Sequence, residues 1–212
     1  VLGYDLLNEP IPQFPALAPL RRELEPVYRR IAGAIRAGDK NHVLILGGAT
    51  WDTNFKVFGP PFDPNVMYTF HKYWTKQTDA SVIQEYLDFR KQNKVPIWAG
   101  ETGENTDAWV QAFRETLEAN EVGWAFWTYK RMDAKPCVVT FDPPEHWDEI
   151  VAFAKLPRDM GDAEKRIGAR PPQAEINAAF DDLLRKIQFS SEHVNAGYVQ
   201  ALGLKAGSTG AE

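Results

Sequence analysis

Apolar positions recur along this chain in two alternating rhythms. VLGYDLL, Val1–Leu7, has strand character and stops at Asn8, Glu9 and Pro10. LRRELEPVYRRIAGAIRAG, Leu20–Gly38, spaces its apolar residues for a helix that Gly38 and Asp39 end. HVLILGG, His42–Gly48, is a continuous apolar run, the pattern of a strand buried on both faces. Ala49–Asn65 carries Gly59, Pro60, Pro61 and Pro64 and reads as loop with at most a short helix. The rhythm then repeats with a strand at Val66–His71 and a helix at Ser81–Asn93. A strand at Val95–Glu101 follows, then a helix capped by NTDAW that runs to about Asn120, then a strand at Gly123–Tyr129. HWDEIVAFAK and PPQAEINAAFDDLLRKIQ read as two further helices joined by a polar connection, Pro157–Arg170, and the tail from Gly207 reads as frayed.

Strands alternating with helices, each strand apolar on both sides, argue for a parallel sheet covered by helices. A doubly wound sheet usually carries a Gly-rich phosphate loop after an early strand, and neither GxGxxG nor GxxxxGK[ST] occurs here. A (β/α)8 barrel instead places its chemistry at the C-terminal ends of several strands. The strands of this chain end in that way.

Composition narrows the partners. With 212 residues, 44% apolar and 12% aromatic content, the chain is long enough to bury a sizeable core as one domain. The net charge is -5 and lysines and arginines form no basic stripe, which argues against nucleic acid. No apolar run approaches the roughly 20 residues that a membrane span needs. Cys137 stands alone, so there is no internal disulfide framework. The first residues already read as a strand, without an initiator Met or a basic and apolar leader, so an N-terminal portion is expected to precede them. A signal peptide would lie in that portion.

The successive strand ends offer Asn8 and Glu9, then Trp51 and Asp52, then His71 and Tyr73, then Glu101, then Trp127. Carboxylates, an amide, an imidazole, a phenol and indoles are the kit for cutting a glycosidic bond. One carboxyl protonates the leaving oxygen, the other attacks or activates water, and indoles stack on sugar rings. Each residue alone has a plain structural reading: His71 as a hydrogen-bonded core histidine, GETGEN as a turn into the next helix, Trp51 and Trp127 as core. Trp98, Trp109, Trp124 and Trp147 are assigned to core. Those plain readings are independent of one another, and all would have to hold at consecutive strand ends. Alternation places Ile97, Ala99 and Glu101 on one face of their strand and lets His71 and Tyr73 point together. Asn8 and Glu9 have opposite parity, so both reach one site only if the strand has ended or bulges between them.

LLNEP, FHKY, IWAGETG and WAFWTYK, in that order, resemble the fourth-, sixth-, seventh- and eighth-strand motifs of glycoside hydrolase family 5, the cellulase family of retaining (β/α)8 glycosidases. HVNAGYVQALGL resembles the closing helix of that family. The resemblance implies an incomplete (β/α)8 TIM barrel, strands four to eight with their helices. Residues 1–206 would form the C-terminal portion of one catalytic domain and 207–212 a frayed tail. It implies Glu9 as acid/base and Glu101 as nucleophile, with Asn8, Trp51, His71, Tyr73 and Trp127 binding substrate: Asn8 at the sugar 2-hydroxyl, Tyr73 positioning Glu101, Trp127 beneath the sugar at the scission point. The two carboxyls would lie roughly 5 to 5.5 Å apart. No metal or organic cofactor is implied.

The implied substrate is a β-1,4-linked glucan polysaccharide or oligosaccharide, cleaved in the manner of an endoglucanase. A mannanase, xylanase or exo-β-glucosidase would keep the same catalytic residues, and an inactive carbohydrate-binding remnant would keep the aromatics without turnover. A metal hydrolase is disfavoured because no His-x-His pair or other ligand cluster occurs in the sequence. In the family an Arg and a His of the site come from strands two and three, so the partner this chain is expected to need is the N-terminal barrel half of its own parent. The family also implies an extracellular or periplasmic location. No nucleic-acid or membrane partner is expected.

Overall fold

The computed structural model describes residues 1–157 and 163–205; the expected frayed tail, 207–212, lies outside them. The described chain divides into two compact units, Val1–Trp127 with Gln200–Lys205, and Thr128–Val199.

The first unit is built on five parallel strands in the order β1-β2-β3-β4-β5: Gly3–Asp5, Val43–Gly47, Val66–Tyr73, Ile97–Gly103 and Gly123–Trp127. β1 and β5 are its edge strands. Helices α1 (Leu24–Gly38), α3 (Gln84–Asn93) and α4 (Asp107–Ala119) cross from strand to strand, whereas α2 (Ala49–Asp52) is a single turn after β2. α1 starts later than the apolar spacing predicts. Pro19 falls in a 3-10 stretch, Pro15–Glu23, and Pro26 sits in the first α-helical turn, where its missing N–H breaks no hydrogen bond. The expected cap of α4 is made by Thr106, whose side chain accepts from the Trp109 amide at 3.3 Å.

The core lies between the sheet and these helices, not on the opposite face of the sheet. Leu44, Leu46, Tyr68, Phe70, Ile97 and Ala99 face the helix layer, where Phe70 stacks on Tyr86 of α3 with ring centroids 4.0 Å apart. Phe55, in the loop after α2, packs against the rings of Phe58, Tyr68, Phe70, Tyr86 and Phe89 and anchors that loop to the core.

One expectation about β4 is corrected. Ile97 and Ala99 do not share a face with Glu101. Phe70 pairs with Ala99 and His71 with Glu101, so Gly100 is an extra residue on β4 that reverses the alternation. A side chain at position 100 would collide with Thr69, which explains the glycine. Trp98 is corrected too: it pairs with Thr69, on the inner face with Gly100 and away from the helix-packed core, whereas Trp109 and Trp124 pack against that core.

The second unit holds a three-stranded sheet, β6 (Lys130–Met132), β7 (Val139–Phe141) and β8 (His193–Val194), with β6 and β7 parallel and β8 antiparallel. Its helices are α5 (Trp147–Ala154), α6 (Ala163–Gly168) and α7 (Gln173–Lys186). Trp147 meets Phe180 edge-on, with centroids 6.1 Å apart. α6 occupies part of the stretch expected as a polar connection, and α8, Ala196–Ala201, occupies part of the expected closing helix.

Candidate active site

The C-terminal ends of the five parallel strands border a cavity of about 710 Å³, lined among others by Asn8, Glu9, Trp51, His71, Tyr73, Glu101 and Trp127. All seven residues singled out from the sequence are thus brought to one place, each from a different segment of the fold or its immediate neighbour.

Backbone geometry explains how each arrives. β1 stops at Asp5, and Glu9 lies beyond it with φ 48°, in the left-handed region, which frees its side chain from strand alternation. The bulge at Gly100 turns Glu101 inward beside His71 and Tyr73 of β3. Thr50, Trp51 and Asp52 all have positive φ, at 62°, 54° and 59°, and this left-handed turn carries Trp51 to the cavity wall while it buries Asp52.

Hydrogen bonds knit the polar residues together. His71 Nδ1 lies 2.9 Å from Glu9 Oε1 and 3.5 Å from Glu101 Oε2, and its Nε2 lies 3.3 Å from Asp52 Oδ2. Tyr73 donates its hydroxyl to Glu101 Oε2 at 2.8 Å. Burial, reinforced by that bond to Glu101, pushes the Tyr73 phenol far above its ordinary range, so it remains a donor. The Glu9 amide donates to Asp52 Oδ2 at 3.1 Å. Asp52 is 1% exposed and His71 4%. His71 is therefore a buried hub with carboxylates at both ring nitrogens.

A carboxylate oxygen of Glu9, one of Glu101 and a ring nitrogen of His71 lie within 4.8 Å of one another. His71 is bonded to Glu9, and Glu101 accepts from Tyr73 outside the set. The two carboxylates face a common space.

Aromatic surface frames this pair. Trp51 is 38% exposed and Trp127 49%. Trp74 is 67% exposed, lines the same cavity and donates its indole N–H to the Glu104 carbonyl at 3.0 Å. Sequence reading passed over Trp74 and Glu104. The available signal was Trp74 itself, a large apolar residue directly after the inward-pointing Tyr73 and outside any apolar periodicity. Asp52 was seen only as a strand-end carboxylate; its burial depends on the left-handed turn, which has no glycine to announce it.

Parallel strands wrapped by helices, with chemistry at their C-terminal ends, define an incomplete (β/α)8 barrel. Two solved endoglucanase structures share this fold. One aligns at 19% identity and a TM-score of 0.50 over 60% of this chain and 51% of its own. The other, Cel5A from the hyperthermophile Thermotoga maritima, aligns at 22% and 0.50 over 60% and 52%. The profile of the cellulase family, glycosyl hydrolase family 5, matches residues 1–133, and the chain belongs to that family. Endoglucanase A of Evansella cellulosilytica is 28% identical over 120 residues, 52% of this chain and 24% of that protein. The chain thus spans about a quarter of this curated relative and about half of the two solved chains.

Proposed function

We propose that the site hydrolyses β-1,4-linked glucan with retention of anomeric configuration, Glu101 acting as nucleophile and Glu9 as acid/base. The observation that carries this reading is that a carboxylate oxygen of Glu9 and one of Glu101 lie within 4.8 Å of each other. Retaining pairs stand roughly 5 to 5.5 Å apart, whereas inverting pairs need roughly 6.5 to 9.5 Å to admit a water between carboxylate and sugar. Glu9, holding a proton, gives it to the leaving glycosidic oxygen while ionised Glu101 attacks the anomeric carbon. The resulting ester is then hydrolysed by a water that Glu9 deprotonates. Asn8 serves the 2-hydroxyl of the sugar under attack, Tyr73 orients Glu101, His71 holds Glu9, and Trp127 and Trp51 supply stacking surface.

Glucan is favoured because the relatives reported above are endoglucanases. Mannan, xylan or a short β-glucoside would meet the same carboxylates. The proposal extends to the setting: residues 1–206 work as part of an eight-stranded barrel acting on polysaccharide outside the cytoplasm.

The two roles separate by substitution in the barrel-completed enzyme. Glu101→Gln is expected to abolish turnover of every glycoside. Glu9→Gln is expected to spare the first step for aryl glycosides whose leaving groups need little protonation. Equal loss on both substrate types would overturn the assignment.

A further inference from the structure

We propose that Asp52 is a positioning residue for Glu9: it holds a proton between its Oδ2 and His71 Nε2, so that His71 presents Nδ1–H to Glu9 Oε1, and it pins the Glu9 backbone through its amide. The role rests on the reading of Glu9 as acid/base, while the hydrogen-bond pattern itself does not.

The distances leave a neutral imidazole ring two patterns. In one, ionised Asp52 accepts from Nε2–H at 3.3 Å, and the Nδ1 lone pair points at Glu9 Oε1, 2.9 Å away, and at Glu101 Oε2, 3.5 Å away. Only a proton on Glu9 Oε1 could fill that gap, and it would then face the ring instead of a leaving group. In the other pattern the proton lies on the Asp52–Nε2 contact, Nδ1–H donates to Glu9 Oε1, and Glu9 Oε2 is left for substrate. Transferring that proton from Oδ2 to Nε2 makes an aspartate–imidazolium pair with the same proton count and the same Nδ1–H. Either placement delivers one geometry to Glu9.

Burial of Asp52 and the charges around the ring favour the shared proton. Asp52 is 1% exposed, and its Oδ1 is buried with no hydrogen-bond partner, an arrangement costly for a charged carboxylate and far less so for a neutral acid. Burial pushes the Asp52 carboxyl up to about 7, against the opposing effects of the His71 charge and the Glu9 amide. The other charged groups facing the ring are acidic: Glu9 after β1, Glu101 on β4 and, at longer range, Asp5 on β1. A ring among carboxylates is served best by presenting N–H at Nδ1.

The backbone is shaped around Asp52. Three consecutive residues with positive φ, Thr50, Trp51 and Asp52, are strained and persist only where surroundings over-determine them. The Thr50 amide is tied to the Ile11 carbonyl at 2.9 Å, and Gly47 lacks the side chain that would collide with the Asp52 carboxylate. Glu9, itself at φ 48°, is held from the other side by the same Oδ2. One carboxyl therefore fixes both the backbone and the ring that position Glu9.

Nitrogen NMR of the barrel-completed enzyme, labelled at histidine and with the His71 signals assigned by their loss in His71→Gln, tests this directly. Near neutral pH, His71 Nδ1 is expected to show a one-bond coupling to hydrogen. Nε2 is expected between the free and fully protonated positions. An unprotonated Nδ1 in the unsubstituted chain would overturn the proposal, with no variant required. In Asp52→Ala the two ring signals are expected to average as the tautomers exchange, and the Glu9 amide to exchange with solvent about ten-fold faster, as loss of one ordinary hydrogen bond allows. Ring signals unchanged in a variant that keeps the remaining amide spectrum would equally overturn it. No turnover is needed for these readings, so a failure of the glycosidase reading shows separately, in the aryl glycoside assay.

Discussion

Tyr73 donates its hydroxyl to Glu101 Oε2 at 2.8 Å, across the β3–β4 pairing that the Gly100 bulge has shifted by one residue. Without the bulge Glu101 would point into the helix layer with Ala99. In the proposed mechanism this bond orients the carboxylate that attacks, and a hydrogen bond to a charged group contributes roughly 1.5 to 3 kcal/mol.

Tyr73→Phe in the barrel-completed enzyme is therefore expected to lower kcat by roughly 10- to 100-fold, each tenfold corresponding to about 1.4 kcal/mol, with KM little altered. Steady-state kinetics on an aryl glycoside checks it. A rise in KM at constant kcat would move Tyr73 from the nucleophile to the sugar.

The strands and helices that carry the site were legible because their signals are local. β2 is a continuous apolar run, α4 has a Thr cap, and β4 carries near its end a carboxylate that apolar periodicity does not explain. What escaped was non-local or very short. The inward turn of Glu101 depends on register against β3, which parity within β4 alone cannot reveal. The burial of Asp52 depends on a left-handed turn of non-glycine residues. β6, β7 and β8 have only three, three and two residues, too few for a period to emerge, so the second sheet was invisible.

Trp74 was missed for a related reason: its value is its position on the cavity wall, fixed by the indole bond to the Glu104 carbonyl. An oriented, largely exposed indole suits stacking on a sugar beyond the bond being cut. Trp74→Ala is expected to raise KM for a soluble glucan several-fold and to leave a small aryl glucoside unaffected. Equal effects on both substrates would place Trp74 at the scission point instead.

Phe55 connects stability to the site. It is buried among five aromatic rings and anchors the loop that follows Trp51 and Asp52. Phe55→Ala is expected to cost about 3 to 5 kcal/mol, read as a lowered denaturation midpoint in the first unit. A loss below about 1 kcal/mol would mean that the ring cluster closes over the gap.

Asp52 also predicts how stability depends on pH. Its carboxyl is raised to about 7 by burial when folded and returns to about 3.9 when unfolded, so between these values the folded chain binds more protons. This contribution is favourable below about pH 4 and is lost as pH rises toward 7. Asp63, held low chiefly by Arg36, acts in the opposite direction and at lower pH, so the two windows separate. Asp52→Asn is expected to flatten the decline between pH 4 and 7, measured by denaturant unfolding. Parallel curves for the two proteins would show that Asp52 is ionised throughout.

The last prediction concerns the open sheet. A (β/α)8 barrel closes its strands on one another, whereas here β1 and β5 are edges and the inner face between them carries Thr69, His71 and Glu101. Misplacing a catalytic group by about 1 Å can cost on the order of 100-fold in rate, and Glu9, the proposed acid/base, lies on the segment that follows the edge strand β1. The 212-residue chain alone is accordingly expected to hydrolyse soluble cellulose derivatives weakly or not at all, and to self-associate through its strand edges. Supplying three further βα units, fused ahead of Val1 or as a second fragment, is expected to restore turnover and a monomeric state. Side-by-side hydrolysis assays and light scattering decide it, and full activity from a monomer of the chain alone would show that five strands suffice to hold Glu9 and Glu101 in register.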